Sequence, residues 1–347
     1  MSAAAGENNR EKRRSNMTQD STSHHDIPLM AGNVRLTLYG IEGELADEIA
    51  LAVRDEGERL QRIFNLYDPK SELSRLNRER TIRASPELLQ VIRRALAYCA
   101  LAEGRYDISL GRQFLQRKRG EPITPVHCSY KHIRIEGDHV ELTHPDVTID
   151  LGSIAKGFIA DRMLEFAIDR GVESAFIDAR GDMRITGPRM EVIDIQHPRE
   201  ENRTLRPFVL ENMAVATSGD YKQYSGSFST SHIMNSRDIA SVTIVAPTTM
   251  EADAIATAVF VTGMEESRAL LTSIPHAKAL IIATDGKEIT LNGFEDLELD
   301  AQMRTVKSTI AQHGETNAAI PAPPRRTHRN SDAKSTKRTI ATLITDN

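Results

Sequence analysis

Asp150-Leu151-Gly152-Ser153-Ile154-Ala155-Lys156-Gly157-Phe158-Ile159-Ala160-Asp161 is the stretch on which the reading of this chain turns. It follows the β-branched run Val147-Thr148-Ile149, which predicts a buried strand. Beyond it, Ile159, Met163 and Phe166 recur at helical spacing, flanked by Ala160, Leu164 and Ala167, and Gly171 ends the pattern. A carboxylate, two glycines and a lysine are therefore expected at a strand-to-helix junction. There the backbone can approach a ligand closely, and the first-turn N–H groups favour a phosphate. The spacing fits neither a Walker A loop nor a GxGxxG fingerprint. Taken alone, it also fits an ordinary turn whose glycines relieve sterics and whose lysine is solvated.

A second stretch, Thr248 to Ala258, follows the apolar run Val242 to Ala246. Thr248 and Glu251 stand at capping-box spacing and start a helix. Asp253 and Thr257 then lie one turn apart on one face, among alanines that let something come close. A carboxylate and a hydroxyl so placed make half a site for Mg²⁺, which wants oxygens and completes its shell with phosphates. On residues alone, the alternative is an aspartate answering the helix dipole and a threonine bonded to a backbone carbonyl.

Around these stretches the chain reads as a globular region between polar ends. It has 347 residues, enough for one large or two ordinary domains. Hydrophobic residues make up 39% and charged residues 27%, low for a compact globule, so disordered ends are expected. Residues 1–26 read as an N-terminal arm and 307–347 as a basic tail around Pro321 to Arg338, leaving 27–306 as the domain. Within it, helices are expected over Glu44 to Phe64, from Ser85-Pro86, over Met250 to Val261 and over Met264 to Thr272. Strands are expected at Val34–Gly40, at His132–Glu136 and His139–Leu142 as a hairpin, and in a series from Ser174 to Thr284. They do not alternate regularly with helices, which points to α+β and not to a doubly wound sheet. A net charge of −5 gives no reason to expect nucleic acid. Cys99 and Cys128 form no metal-ligand spacing and suit a reducing compartment; with no 18-residue apolar stretch, a cytoplasmic protein is expected.

The two stretches together resemble the FAD:protein FMN transferases, the ApbE family. Asp150 to Gly157 resembles its Asp-x-Gly-x-x-Ala-Lys-Gly signature, and Ala252 to Ala258 its Ala-Asp-Ala-x-Ala-Thr-Ala segment. Further similarity lies in Leu66 to Asn77, Glu103 to Asp107, Met30-Ala31-Gly32, Ile195 to Pro198 and Ala216 to Tyr221. The resemblance implies an α+β fold with a central FAD cleft. It implies Mg²⁺ on Asp253, Thr257 and the carbonyl of Ser153, with Ala256 in the same segment. It further implies FAD contacts at Met30, Tyr67, Arg105, Tyr106, Asp107, Asp150, Lys156 and Ile233. The implied reaction passes FMN from FAD to a threonine of a target flavoprotein bearing a Ser-Gly-Ala-Thr-like motif, releasing AMP. Lys156 would neutralise the pyrophosphate, and His232 would be the base that a poor hydroxyl nucleophile needs.

Two departures stand against this. His232-Ile233-Met234-Asn235-Ser236-Arg237-Asp238-Ile239 keeps the first two residues of a family His-Ile-Ile-Asp-Pro-x-Thr-Gly loop and loses the rest. Arg180 stands where the family has a glycine before Gly181-Asp182. An FAD pyrophosphatase and a non-catalytic FAD-binding protein therefore remain as alternatives. An interaction module using the basic tail fits less well, since a scaffold needs no metal half-site.

Overall fold

The structure is a computed structural model and describes residues 21–200, 203–219 and 238–298. Its frame is an eight-stranded sheet in the order β1 (Thr22–Leu29), β2 (Gly32–Tyr39), β6 (Ser174–Ala179), β7 (Asp182–Thr186), β10 (Ala214–Gly219), β11 (Ile239–Ala246), β12 (Lys278–Ala283) and β13 (Glu288–Leu291). Every neighbouring pair in it is antiparallel. A three-stranded sheet joins β3 (Thr81–Arg83), β5 (His139–Leu142) and β4 (Ile133–Glu136), and β8 (Met190–Gln196) pairs with β9 (Thr204–Glu211). Seven α-helices accompany these strands among the described residues, so the architecture is α+β as the irregular alternation predicted.

The large sheet is covered on both faces. Along β12, Ala279 and Ile281 belong to the main core, while Leu280 and Ile282 join a smaller cluster with Phe208, Leu210 and Phe294. That two-sided burial explains why β11 is buried along its whole length and reads as one apolar run. On the main-core side lie α1 (Gly43–Phe64), α5 (Ala155–Ile168) and α6 (Thr249–Thr262). The remaining helices are α2 (Glu72–Glu79), α3 (Pro86–Leu101), α4 (Gly111–Lys118) and α7 (Met264–Ser273). Ser85 caps α3 through the Leu88 N–H with Pro86 in its first turn, as its sequence indicates. No helix among the described residues is long and apolar enough to cross a membrane.

Three expectations need correction. Val147-Thr148-Ile149 is buried but belongs to no sheet; it makes one isolated bridge, Thr148 to Leu110. Its backbone is held by the end of α2, where Asn77 bonds both the N–H and the C=O of Ile149, at 2.7 and 2.9 Å, and Arg80 bonds the Val147 carbonyl at 2.7 Å. The Ser109 carbonyl and the Gly111 N–H also hold it, bonding Thr148 at 3.1 and 2.8 Å. The arm expected over residues 1–26 overlaps the fold, because β1 starts at Thr22 and pairs with β2 along its full length. Ser23, His24 and His25 look polar enough for an arm, yet in an edge strand the backbone supplies the pairing. The capping box at α6 is half formed. Thr248 accepts the Glu251 N–H at 3.2 Å, but the Glu251 carboxylate lies 2.7 Å from His276, so it is turned away from the cap.

The contact that places α6 is a close approach to α5 at Gly157. A Cβ there would lie 2.6 Å from the Thr249 carbonyl carbon and 2.7 Å from the Met250 Cα, both of them backbone atoms that cannot swing away. Gly157→Ala is therefore expected to push the two helices apart and lower stability by about 1–3 kcal/mol. Urea unfolding checks this; an unchanged midpoint would show that the helices slide without cost.

Candidate active site

Both motif segments open into one cleft of about 770 Å³, lined by Asp150, Gly152, Ser153 and Lys156 from the first and by Asp253 and Thr257 from the second. The two halves, about a hundred residues apart in the chain, are joined by the α5–α6 contact. The cleft is of the size that takes a cofactor. The loop before α5 is shaped by Asp150, whose Oδ1 accepts the Gly152 N–H at 2.8 Å. Burial raises the Asp150 carboxyl above the ordinary range, against the pull of that N–H and of Lys118.

The electrostatic centre is Asp253, Asp182 and Lys156. Lys156 is ion-paired with Asp182, and its own side chain keeps some exposure to the cleft while Asp182 is buried. Burial works against the lysine's charge, but Asp182 and Asp253 outweigh it and hold the ammonium more firmly than usual. Asp253 is buried, and its one hydrogen bond among the described residues is a long 3.4 Å donation from the Gly157 N–H. Burial, reinforced by Asp182, pushes its carboxyl from an ordinary 3.8 up to about 7, with Lys156 pulling the other way. A buried carboxylate so poorly bonded calls for a cation. One turn on, the Thr257 hydroxyl lies 3.2 Å from the Ser218 hydroxyl of β10. Among the described residues no three His, Cys, Asp or Glu side chains converge as an all-protein metal cage. The donors fit Mg²⁺, a hard cation that keeps part of its shell for phosphates, and not zinc.

The other predicted residues divide. Ser153 lines the cleft, and its hydroxyl is 2.8 Å from the buried Tyr106 hydroxyl, so Tyr106 supports this loop from behind. Asp107 lines the cleft too, but its oxygens accept the Ser109 and Tyr130 N–H groups at 2.8 and 3.0 Å. Arg105 sits at the mouth, 2.7 Å from Glu266 of α7. Ala256 is fully buried in α6 and offers no side-chain donor. Tyr67 is not among the cleft-lining residues; it is 56% exposed, with Lys118 donating to its hydroxyl at 2.8 Å and lying over its ring. Met30 is not among the cleft-lining residues. It occupies the β1–β2 turn at φ 54°, tied by its N–H to Gln61 (2.7 Å) and by its carbonyl to Arg180 (2.8 Å). His232 and Ile233 lie outside the described residues.

Sequence reasoning missed the whole α4 wall, where Gly111, Gln113, Phe114 and Arg117 face the cleft. Its only signal was Gly111, where a Cβ would meet the Thr148 carbonyl oxygen at 2.7 Å. It also missed the pairing of Lys156 with Asp182, although Asp182 stood inside a motif segment.

Comparison with known proteins agrees with this geometry. A family profile described as "ApbE family" matches residues 30–281. An "FAD:protein FMN transferase" of Haemophilus influenzae is 27% identical over 305 residues, covering 78% of this chain and 86% of its own length. One of the same name from Vibrio cholerae is 25% identical over 264 residues, covering 67% and 79%. The crystal structure of the ApbE protein of Thermotoga maritima superimposes with a TM-score of 0.71 at 26% identity, covering 81% of this chain and all of that one. The flavin transferase ApbE of Vibrio cholerae shares the fold, with a TM-score of 0.68 at 24% identity over 80% of this chain and 99% of its own. With most of its length inside the family profile and both motif segments meeting in one cleft, this chain belongs to the ApbE family of FAD:protein FMN transferases.

Proposed function

We propose that the chain is a Mg²⁺-dependent FAD:protein FMN transferase acting on a threonine hydroxyl of a target flavoprotein with a Ser-Gly-Ala-Thr-like motif. The observation that carries this is Asp253, a buried and poorly bonded carboxylate beside Thr257 in a cleft that also holds a lysine. In the proposed reaction the threonine oxygen bonds to the phosphorus of the FMN half of FAD, the bond from that phosphorus to the bridging oxygen breaks, and AMP leaves with that oxygen. The threonine proton goes to a base, for which His232 is the candidate.

Asp253, Thr257 and the Ser153 carbonyl would hold Mg²⁺, with Ala256 in the same turn of α6. Bound there, the ion would offset phosphate charge as phosphoryl transfer requires. Lys156 would do the same from the other motif, its ammonium kept charged by Asp182 and Asp253. The Asp150–Gly152 bond would keep the loop open to the pyrophosphate. Arg105 and the loop bonded to Tyr106 would orient FAD, with Tyr67 and Met30 proposed as further contacts. Residues 22–306 would form the catalytic domain, flanked by polar arms. The two free thiols, Cys99 and Cys128, favour a cytoplasmic setting.

AMP release from FAD, measured with and without a flavin-acceptor domain, tests the activity. Matching covalent flavin on the acceptor is expected, and Asp253→Ala is expected to lower both by at least about a hundredfold. AMP with free FMN and no adduct would make the protein a pyrophosphatase, and bound FAD with no AMP a binding protein.

Asp253 also predicts a stability effect of defined sign. Its folded carboxyl titrates near 7 against an ordinary 3.8, so between those values the folded state holds a proton that the unfolded chain has released. Stability of the metal-free protein therefore falls across that window as pH rises, and Asp253→Asn removes the cost. In EDTA at about pH 8 the variant is expected to melt several degrees higher, at about 2–4 °C per kcal/mol, with the gain shrinking by about pH 5. An Asp253→Asn variant that at about pH 8 melts no higher than the parent would contradict this assignment of the buried charge.

A further inference from the structure

Asp161 is a buried carboxylate that the proposed chemistry does not use. It lies on α5 one turn beyond Gly157, and hence on the same face, against the start of α6. Oδ1 accepts the Thr249 N–H at 2.8 Å, and Oδ2 accepts the Met250 N–H at 2.8 Å. Oδ1 also receives Nη1 of Arg184 from β7, again at 2.8 Å.

These bonds complete the account of a buried helix end. A helix leaves four N-terminal N–H groups without partners, and a buried end cannot give them to water. Of the free amides in the first turn of α6, Thr249 and Met250 donate to Asp161 and Glu251 donates to the Thr248 hydroxyl at 3.2 Å, before Ala252 makes the first helical bond, to the Thr248 carbonyl at 3.0 Å. Two of these three first-turn amides are thus bonded by a residue of the other motif. The anchor is charged, so its hold on the positive end of α6 is stronger than that of a hydroxyl cap. Arg184, largely buried, satisfies the charge from the other side. Asp253 comes within the next turn of α6 and Thr257 one turn later, so their position follows that of the anchored end.

We propose that Asp161 is a positioning residue of the metal half-site: by bonding the first two N–H groups of α6 and pairing with Arg184, it sets where Asp253 and Thr257 stand relative to Ser153 and Lys156. It touches neither substrate nor ion. Gly157 allows the approach and Asp161 locks it, which gives the last residue of the opening stretch its task. This rests on the proposed metal site.

The test uses the full chain, with Mn²⁺ as probe in the presence of ADP, whose pyrophosphate stands for that of FAD; bound metal is read by electron paramagnetic resonance. Asp161→Asn keeps the shape but replaces one acceptor oxygen with a donor. Its Mn²⁺ affinity is expected to fall about tenfold or more, the range for residues that support metal ligands from behind. Its turnover is expected to recover when Mg²⁺ is raised, which a purely structural lesion would not do, whereas Asp253→Ala recovers at no concentration. Should Asp161→Asn fail to fold, Arg184→Gln takes its place, with an expected loss of about threefold or more. An affinity within twofold of the parent in the folded variant overturns the positioning role. If Asp253→Ala also leaves Mn²⁺ binding unchanged, the metal reading falls with it; if Asp253→Ala abolishes binding, only the role of Asp161 is lost.

Discussion

The site depends on one contact, the approach of α5 to the start of α6 at Gly157. Both helices are buried on the same face of the eight-stranded sheet, and their apolar residues merge in the main core. Side chains at the crossing would hold the helices apart, so the residue there has none. The same approach brings the Gly157 N–H to Asp253 and places Lys156, one residue earlier, near the same carboxylate. A sheet built for stability would fill this crossing with leucine and valine. Here the space goes to glycine and alanine, and the charged groups between the helices are left for a ligand.

Electrostatics carries the cost of that choice. Asp253, Asp182 and Asp161 are all buried, with Lys156 and Arg184 as their cations. Asp161 is satisfied inside the protein by two amides and an arginine, and Asp182 is ion-paired with the lysine. Asp253 is the exception, and its raised pKa measures how poorly the protein alone solvates it. A group kept in such a state is characteristic of a functional site. The neighbouring threonine hydroxyl is an oxygen donor of the kind that suits a magnesium ion better than a softer metal.

Much of this was legible from residue patterns. The two motif segments, the α3 cap, the β4–β5 hairpin and the apolar strands of the large sheet lie close to where their periodicity and turn residues put them. What escaped was decided by long-range bonding. Val147 to Ile149 has the composition of a strand, yet it bonds to Asn77, Arg80 and the backbone of Ser109 and Gly111 and not to a sheet. The start of β1 looks like an arm because its side chains are polar while its backbone pairs. Helix α4 is short and polar, with nothing local to mark it as a cleft wall. Asp161 stood within the opening stretch, and its i+4 spacing from Gly157 was the available sign that it faces the same neighbour.

The proposed function stands or falls with a divalent cation bound in the cleft between the two motifs. Crystals grown with Mn²⁺ and FAD, measured at the manganese edge, test it most directly. One anomalous peak is expected, bounded by the Asp253 carboxylate, the Thr257 hydroxyl and the Ser153 carbonyl, with phosphate oxygens completing the shell. A peak elsewhere in the cleft, or bound FAD with no metal between these residues, would contradict it.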